Sequence, residues 1–302
     1  MPDKSLIVII GPTAVGKTTI GVKLAQKLSC SIISADSRQL FREMNIGTAK
    51  PSMDEMQGVQ HYFVDDRSIE EDFSAGKFEK EALQVLANEF AQRNVCIIVG
   101  GSGLYIDALC LGLNDFPVVS PEIRDALNNK LTEEGIEKLY QQLKEVDPEY
   151  ASEIAAKNSQ RIIRALEVYN SSGKTFSSFR HGMNTRRNFT IYYIGLEMPR
   201  EKLYERINNR MERMIKEGLF DEAIGLLPYR DKNALQTVGY NEIFMYHDGK
   251  IDKQETIRLL KRNSRRYAKR QLTWFKRNDE IKWFDPVDEE AIYTYLKDRL
   301  KT

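Results

Sequence analysis

The chain has 302 residues, of which 41% are hydrophobic and 29% charged, a balance typical of a folded protein rather than a disordered one. The net charge is only +1, and the longest aliphatic run, Leu6–Ile10, is far shorter than the roughly 20 residues of a membrane helix. The first residues lack a signal-peptide pattern, and three scattered cysteines argue against disulfides and a zinc ribbon. We therefore expect a cytoplasmic protein without a membrane segment.

Aliphatic strands alternate with helices in the first third of the chain. The pattern predicts strands at Lys4–Ile10, Ser31–Ser34 and Val95–Val99, and helices over residues 16–28 and 78–93. Strands that alternate with helices form βαβ units and a parallel sheet. Near-continuous Ile and Val runs also indicate strands that are covered on both faces.

Only helical signals occur over residues 120–173. They predict one helix from Ser120 to Leu143, a second that starts at Asp147, and a third over Arg161–Tyr169. A strand then returns at Phe189–Leu196. The change of pattern indicates that a helical segment interrupts the strand-containing part of the chain.

A glycine-rich loop follows the first predicted strand and opens the first helix. Its sequence, GPTAVGKT, matches the phosphate-loop pattern G-x-x-x-x-G-K-[ST] in full. The glycines of such a loop let backbone N–H groups turn toward phosphate oxygens, the lysine bridges the terminal phosphates, and the hydroxyl can hold Mg²⁺. The predicted diphosphate-binding residues are Gly11, Pro12, Thr13, Ala14, Val15, Gly16, Lys17 and Thr18, with Thr18 as the Mg²⁺ ligand.

The loop and the order of the elements together predict the fold class. We expect a P-loop NTPase-like α/β core with a parallel sheet, formed by residues 1–115 and 186–302. An all-helical insertion domain at residues 116–185 would interrupt this core.

Asp36 follows the second predicted strand, so a parallel sheet would bring it to the same edge as the phosphate loop. A carboxylate there suits a general base, or a hydrogen-bond acceptor for an incoming nucleophile. A helix cap is the equally acceptable alternative, because Ala-Asp-Ser precedes a helical stretch. The third strand ends in Gly-Gly-Ser and not in an acidic magnesium ligand, which weakens an ATPase interpretation.

Nine Lys or Arg residues and no Asp or Glu occur between Arg258 and Arg277. On a helix, the seven from Arg258 to Arg270 fall on one half of the circumference, and apolar side chains fall on the other. A solvated surface helix would normally intersperse Glu for pairing, so the pattern favours a phosphate backbone as the partner. Arg161 and Arg164, one helical turn apart, form a second pair suited to the same polymer.

Six motifs spread over the chain resemble those of the bacterial tRNA dimethylallyltransferases. They are GPTAVGKT at 11–18, SADSRQLFREMNIGTAKP at 34–51, VGGSGLYIDAL at 99–109, QRIIRALEVY at 160–169, TVGYNEI at 237–243 and RRYAKRQLTWFKR at 265–277. Each later motif is moderately specific by itself. Six of them in chain order identify the family that the sequence resembles.

The resemblance implies transfer of a dimethylallyl group from dimethylallyl diphosphate to N6 of the adenosine on the 3′ side of the tRNA anticodon. The departing diphosphate would be stabilised by Lys17, by Mg²⁺ at Thr18 and, by family analogy, by Arg210, and ATP would not be consumed. Asp36 would accept a hydrogen bond and the proton from the amine. The adenine must leave its stack to reach the allylic carbon, so we expect a channel and base flipping.

The resemblance also implies a surface for RNA. Similar enzymes contact tRNA through segments that match Asp36–Gln39 and Gln160–Arg164, and through positions that match Ser102 and Arg124. With two residues of the cationic helix, the implied tRNA-binding set is Asp36, Ser37, Arg38, Gln39, Ser102, Arg124, Gln160, Arg161, Ile162, Ile163, Arg164, Arg265 and Lys269. The implied partners are the tRNA anticodon stem-loop and dimethylallyl diphosphate, the insertion would contact tRNA, and we expect a monomer.

Three other functions stay open at this point. A small-molecule kinase of the phosphate-loop class would turn over ATP and would not need the cationic helix. An adenylate isopentenyltransferase would perform the same chemistry on a free nucleotide and would not need the insertion. A non-enzymatic RNA-binding protein with a relic loop is disfavoured by the intact Lys17, Thr18 and Asp36.

Overall fold

The computed structural model describes residues 4–180 and 185–300. The chain divides into two units, Met1–Cys110 with Arg187–Thr302, and the continuous segment Leu111–Arg186. The limits that the sequence predicts for the insertion are 116 and 185. Within the described ranges, no helix is both long and apolar enough to cross a membrane.

A parallel sheet forms the centre of the first unit. Its strands are β1 (Ser5–Ile10), β2 (Ile32–Ala35), β3 (His61–Tyr62), β4 (Val95–Gly100), β5 (Thr190–Leu196) and β6 (Lys282–Phe284). They lie in the order β3-β2-β4-β1-β5-β6, and every neighbouring pair is parallel. β1 is buried along its whole length between β4 and β5, with Ile7 opposite both Ile97 and Tyr192. The predicted α/β class with a parallel sheet is therefore confirmed.

Helices connect and cover these strands. In chain order they are α1 (Lys17–Leu28), α2 (Met53–Met56), α3 (Ala75–Gln92), α4 (Gly103–Leu111), α5 (Pro121–Glu134), α6 (Ile136–Val146), α7 (Pro148–Glu153), α8 (Ser159–Ser172), α9 (Arg200–Lys216), α10 (Leu219–Gly225), α11 (Asn241–His247), α12 (Lys253–Phe275) and α13 (Glu289–Leu300). One core cluster joins Ile7 and Ile9 of β1 to Leu24 of α1, Ile207 of α9 and Leu296 of α13. The burial of such aliphatic side chains is the main favourable contribution to folding.

Two strands of the sheet have no counterpart in the sequence prediction. β3 contains two residues and β6 three, and both lie at an edge of the sheet. Their residues are half-buried or exposed, so they form no aliphatic run of the kind that marks β1 and β4. Short edge strands carry too little hydrophobic pattern to be seen in a sequence.

The second unit contains α5 to α8. The single helix predicted from Ser120 to Leu143 is two helices, because the chain leaves the helical region at Gly135, whose φ is 84°. The core of this unit includes Leu139, Leu143 and Ile162. Near its two ends, the backbone N–H of Thr185 donates to the carbonyl oxygen of Leu111 at 2.8 Å.

Candidate active site

The phosphate loop leads from the end of β1 into the first turn of α1. Gly16 immediately precedes the helix with a φ of 112°, a conformation that side chains with a Cβ rarely adopt. The loop therefore ends at a helix N-terminus, where unpaired backbone N–H groups and the helix dipole attract anions. Residues 11–18 thus have the strand–loop–helix arrangement that the motif predicts, and phosphate binding by these residues stays a prediction.

Lys17 directs its ammonium group back onto the loop. The Nζ atom donates to the carbonyl oxygens of Gly11 at 3.0 Å and Pro12 at 2.8 Å. Burial lowers the pKa of Lys17 to about 8; the negative charge of Asp36 opposes this shift and the positive charge of Arg210 adds to it. Because burial disfavours the charged form of Lys17, an anion bound nearby would stabilise its ammonium group.

Arg210 projects from α9 to the same loop. Its Nη2 atom donates to the Oγ1 atom of Thr13. Burial lowers the pKa of the guanidinium, and the nearby carboxylate of Asp36 opposes that effect. A second cation, far from the loop in sequence, thus lies beside the predicted diphosphate site.

Asp36 lies just beyond the end of β2. Its Oδ1 atom accepts hydrogen bonds from the backbone N–H groups of Arg38 at 2.9 Å and Gln39 at 3.3 Å. The residues that follow form turns, and the next helix, α2, begins only at Met53. The carboxylate therefore stabilises a turn rather than a helix, and it also lines a cavity with the phosphate loop.

Two other residues of the Asp36–Gln39 segment, Ser37 and Gln39, are held by hydrogen bonds to neighbouring segments. The Oγ atom of Ser102 accepts from the backbone N–H of Ser37 at 2.9 Å and donates to the Ser37 Oγ atom at 3.1 Å. The Gln39 amide donates to the carbonyl oxygens of Thr48 and Ala49 at 3.1 and 3.0 Å. The structure thus brings Ser102 to the segment with which the sequence analysis grouped it.

Glu222 organises a loop that forms one wall of this cavity. Its carboxylate accepts from the backbone N–H groups of Asn45, Ile46 and Gly47 at 2.7–3.0 Å, and from the Tyr240 hydroxyl at 2.7 Å. These contacts link the sequence motifs at 34–51 and 237–243. No sequence pattern identifies Glu222, because the residues that it bonds to are distant in the sequence.

Two side chains of α12 reach the cavity, and the sequence analysis missed both as site residues. Burial and the charge of Asp36 raise the pKa of the Tyr267 hydroxyl. The Gln271 amide is hydrogen-bonded to Thr13 and Gly101. The spacing of four residues between Tyr267 and Gln271 was the available signal, because it places them on one helix face.

One cavity of about 1080 Å³ unites these groups. Its polar lining includes the predicted phosphate ligands together with Asp36 and Arg210. Ile32, Val99 and Met214 add apolar surface. The functional side chains in the lining are Thr13, Lys17, Thr18, Asp36, Gln39, Arg210, Tyr267 and Gln271.

Two of the three predicted tRNA-binding arginines of the insertion bond to a buried carboxylate. Arg124 donates to Glu167 through Nε at 2.5 Å and Nη2 at 3.1 Å, and Arg164 donates to the same carboxylate at 3.2 Å. Glu167 is completely buried, so these contacts neutralise an interior charge. Gln160 and Arg161 are exposed.

Ile162 and Ile163 require a correction. Both belong to the tRNA-binding set that the family resemblance implies, but their side chains are only 0% and 8% exposed. They belong to the hydrophobic core of the insertion, with Leu139 and Leu143. Their segment can present only its polar members to RNA.

Some cations of α12 bond to side chains outside the stretch from Arg258 to Arg277. Arg258 pairs with Glu255 and Lys261 with Glu212, each at 2.6 Å, although the stretch itself contains no acid. Arg265 donates to the Oδ1 atom of Asn208 at 2.7 Å. Three further cations, Arg266, Lys269 and Arg270, are exposed. The free cationic surface is therefore narrower than the sequence pattern indicates.

The family model described as IPP transferase matches residues 39–278 of the chain. The tRNA dimethylallyltransferase of Cytophaga hutchinsonii is 52% identical over 99% of this chain and 98% of the relative. This second match includes the phosphate loop and Asp36, which precede the region matched by the family model.

Two solved structures are similar along almost the whole chain. The full-length tRNA isopentenylpyrophosphate transferase from Bacillus halodurans is 37% identical, with a TM-score of 0.74, over 99% of this chain and 97% of that one. A eukaryotic dimethylallyltransferase acting on tRNA is 25% identical, with a TM-score of 0.79, over 98% of this chain and 77% of that one.

Proposed function

The chain belongs to the IPP transferase family, and on that premise we propose that it transfers a dimethylallyl group from dimethylallyl diphosphate to tRNA. The acceptor is N6 of the adenosine on the 3′ side of the anticodon. One observation carries the proposal: a single cavity holds the phosphate loop, a second cation and a carboxylate placed to act on an attacking amine.

The diphosphate site consists of the α1 N-terminus, Lys17 and Arg210. In the reaction, the bond between the allylic carbon and the diphosphate oxygen breaks, and the leaving group takes the electron pair. Lys17 and Arg210 stabilise that developing negative charge from fixed positions, which is how electrostatic preorganisation accelerates a reaction. Both side chains already contact the loop at which the diphosphate would bind.

We propose Mg²⁺ as the divalent cation at this site, with Thr18 as its ligand from the protein. Mg²⁺ prefers oxygen ligands and usually keeps several waters, with substrate phosphates supplying further ligands. The single hydroxyl of Thr18, in the cavity beside the loop, suits such a sparse donor set. When bound, the ion would add positive charge against the leaving diphosphate.

Asp36 accepts the proton of the nucleophile. The N6 lone pair forms the new bond to the allylic carbon, and the proton that nitrogen then loses passes to the carboxylate. Because Oδ1 holds the turn through two backbone N–H groups, the orientation of the carboxylate is fixed before the adenine arrives. Tyr267 and apolar lining such as Val99 and Met214 offer surface for the dimethylallyl group and the base.

The RNA surface is proposed to include the exposed cations of α12 and polar residues of both units. Arg266, Lys269 and Arg270 suit phosphates of the anticodon stem-loop, while Ser37, Arg38, Gln39 and Ser102 lie at or near Asp36. Gln160, Arg161 and Arg124 are the exposed candidates of the insertion, although Arg124 also pairs with Glu167. The adenine would have to leave its stack to enter the cavity.

A transfer assay tests this function. Labelled dimethylallyl diphosphate and Mg²⁺ are incubated with the protein and with unmodified tRNA, AMP or neither, and ATP is omitted. We expect label in tRNA alone. Label in AMP would place the protein among enzymes that act on free nucleotides, and no transfer by folded protein would contradict the proposal and favour a kinase.

We further propose that the protein acts as a monomer in the cytoplasm. Sedimentation with and without an anticodon stem-loop RNA would measure the stoichiometry, and cell fractionation would locate the protein. A dimer in the complex would contradict the monomer.

In the transfer assay, a matched RNA in which the acceptor adenosine is replaced should bind but accept no label.

A further inference from the structure

Gln271 lies where α12 meets the phosphate loop, and its amide group bonds to two segments that are distant in the sequence. The Oε1 atom accepts from the backbone N–H of Thr13 at 2.8 Å. The Nε2 atom donates to the carbonyl oxygen of Gly101 at 3.0 Å. Gln271 is only 5% exposed, so both bonds are protected from water. One buried side chain thus joins α12 to the chain beyond both β1 and β4.

The segment after β4 has the space that this contact requires. A Cβ atom at Gly101 would lie 2.1 Å from the Gln271 Nε2 atom, which is too close for the amide to remain in place. Three residues along α12, Trp274 fits over Gly103 in the same way and donates from Nε1 to the Oδ2 atom of Asp107 at 3.0 Å. The glycines that follow β4 therefore set the position of α12.

Thr13 is held at two atoms by two different helices. Gln271 of α12 bonds to its backbone N–H, and Arg210 of α9 bonds to its hydroxyl. The Thr13 N–H is therefore already used, whereas the N–H groups at the start of α1 stay available for an anion. If the Gln271 bond were lost, Thr13 could rotate and the guanidinium of Arg210 would lose its fixed partner.

We propose that Gln271 is a positioning residue for the diphosphate, acting through Thr13 and Arg210. This inference rests on the function proposed above and deepens it. Gln271 fixes the N-terminal part of the phosphate loop at Thr13, so that Arg210 and Lys17 both point at the leaving group. The helix that carries the exposed cations for RNA is thereby also a support of the diphosphate site.

The test compares Gln271→Met with Gln254→Met. Methionine has a similar size but neither accepts from Thr13 nor donates to Gly101, and Gln254 is an exposed residue of the same helix. Calorimetry with inorganic diphosphate gives the Kd, steady-state transfer gives KM and kcat, and filter binding gives the affinity for the anticodon stem-loop. We expect the Kd and the KM for dimethylallyl diphosphate to rise about tenfold in Gln271→Met, with RNA affinity unchanged. Gln254→Met should resemble the unchanged protein.

Two results would overturn the inference alone. One is an unchanged diphosphate Kd in Gln271→Met, and the other is an equal loss of RNA and diphosphate affinity, which indicates general damage to α12. If wild-type protein bound no inorganic diphosphate, the proposed function would fail and the inference with it. Gly101→Ala provides a second variant, because its methyl group displaces the amide while Gln271 stays in the chain; it should raise the same Kd and KM.

Discussion

Two regions of the molecule each bring two cations towards one carboxylate, but the hydrogen bonds that these groups form are different. In the insertion, Arg124 and Arg164 donate directly to the completely buried Glu167. In the α/β unit, neither Lys17 nor Arg210 forms a salt bridge with Asp36 within the described residues. Lys17 and Arg210 bond to the phosphate loop instead, and the Oδ1 atom of Asp36 accepts backbone N–H groups.

The difference shows how a fold separates structural charges from functional ones. A buried carboxylate that receives three guanidinium hydrogen bonds is satisfied and stabilises its surroundings. Cations that bond only to neutral loop atoms remain available to an anion, and a carboxylate that forms no direct ion pair remains available to an incoming donor. Both regions combine two cations with one carboxylate, and the bonding partners of these groups determine their roles.

The largest expected effect comes from removing the charge of Asp36 without removing its turn. Asp36→Asn keeps an oxygen that accepts from the Arg38 and Gln39 N–H groups but has no carboxylate to take a proton. Turnover should fall by about 10²–10⁴-fold, while the diphosphate Kd and the thermal midpoint change little. Asp36→Ala is the comparison, since it loses both the turn contacts and the charge. Turnover close to that of the unchanged protein would remove Asp36 as the acceptor.

The next effect concerns stability in the insertion. Arg124→Leu combined with Arg164→Leu leaves the buried Glu167 carboxylate without its partners, which should cost about 3–5 kcal/mol of unfolding free energy. Urea denaturation measures this loss, and adding Glu167→Met should restore much of it. Diphosphate binding below the transition should be unaffected. A double variant as stable as the unchanged protein would show that the pairing is dispensable.

Lys17 should impose a pH dependence on diphosphate binding. Its pKa is lowered to about 8, so the charged form prevails below that pH and is lost above it. Because a diphosphate prefers the ammonium form, affinity should weaken as the pH rises through 8, by at most about tenfold per unit. Calorimetry of the unchanged protein and of Lys17→Met separates this effect from titration of the diphosphate itself. Parallel pH profiles for the two proteins would contradict the assignment.

The smallest effect distinguishes cations of α12 that form ion pairs from Arg266 and Lys269, which form none among the described residues. Arg266→Gln with Lys269→Gln should weaken RNA binding and reduce the magnitude of the salt slope by about two, one for each lost phosphate contact. Arg258→Gln with Lys261→Gln removes the same charge from residues that already pair with Glu255 and Glu212. This control should leave the slope nearly unchanged. Equal slopes in both double variants would place the RNA elsewhere.

The sequence was most informative where structure depends on neighbouring residues. The aliphatic run of β1, the glycine-rich loop and the start of α1 are contiguous, so they predict one another. The contacts of Gln271 could not be identified in this way, because its partners lie 258 and 170 residues away. The pairing of Arg164 with Glu167 was accessible in principle, since they are three residues apart on one helix. Its second partner, Arg124, was not, because a different helix supplies it.

The hydrogen bond between Thr185 and Leu111 bears on how the chain assembles during synthesis. The insertion is one continuous segment, whereas β1 must wait for its neighbour β5, which is made only after the whole insertion. Because domains generally fold as they emerge, the helical unit can complete itself while the sheet still lacks β5 and β6. Once its ends are joined, the long stretch between β4 and β5 behaves as a short loop, and the entropic cost of closing the sheet falls accordingly.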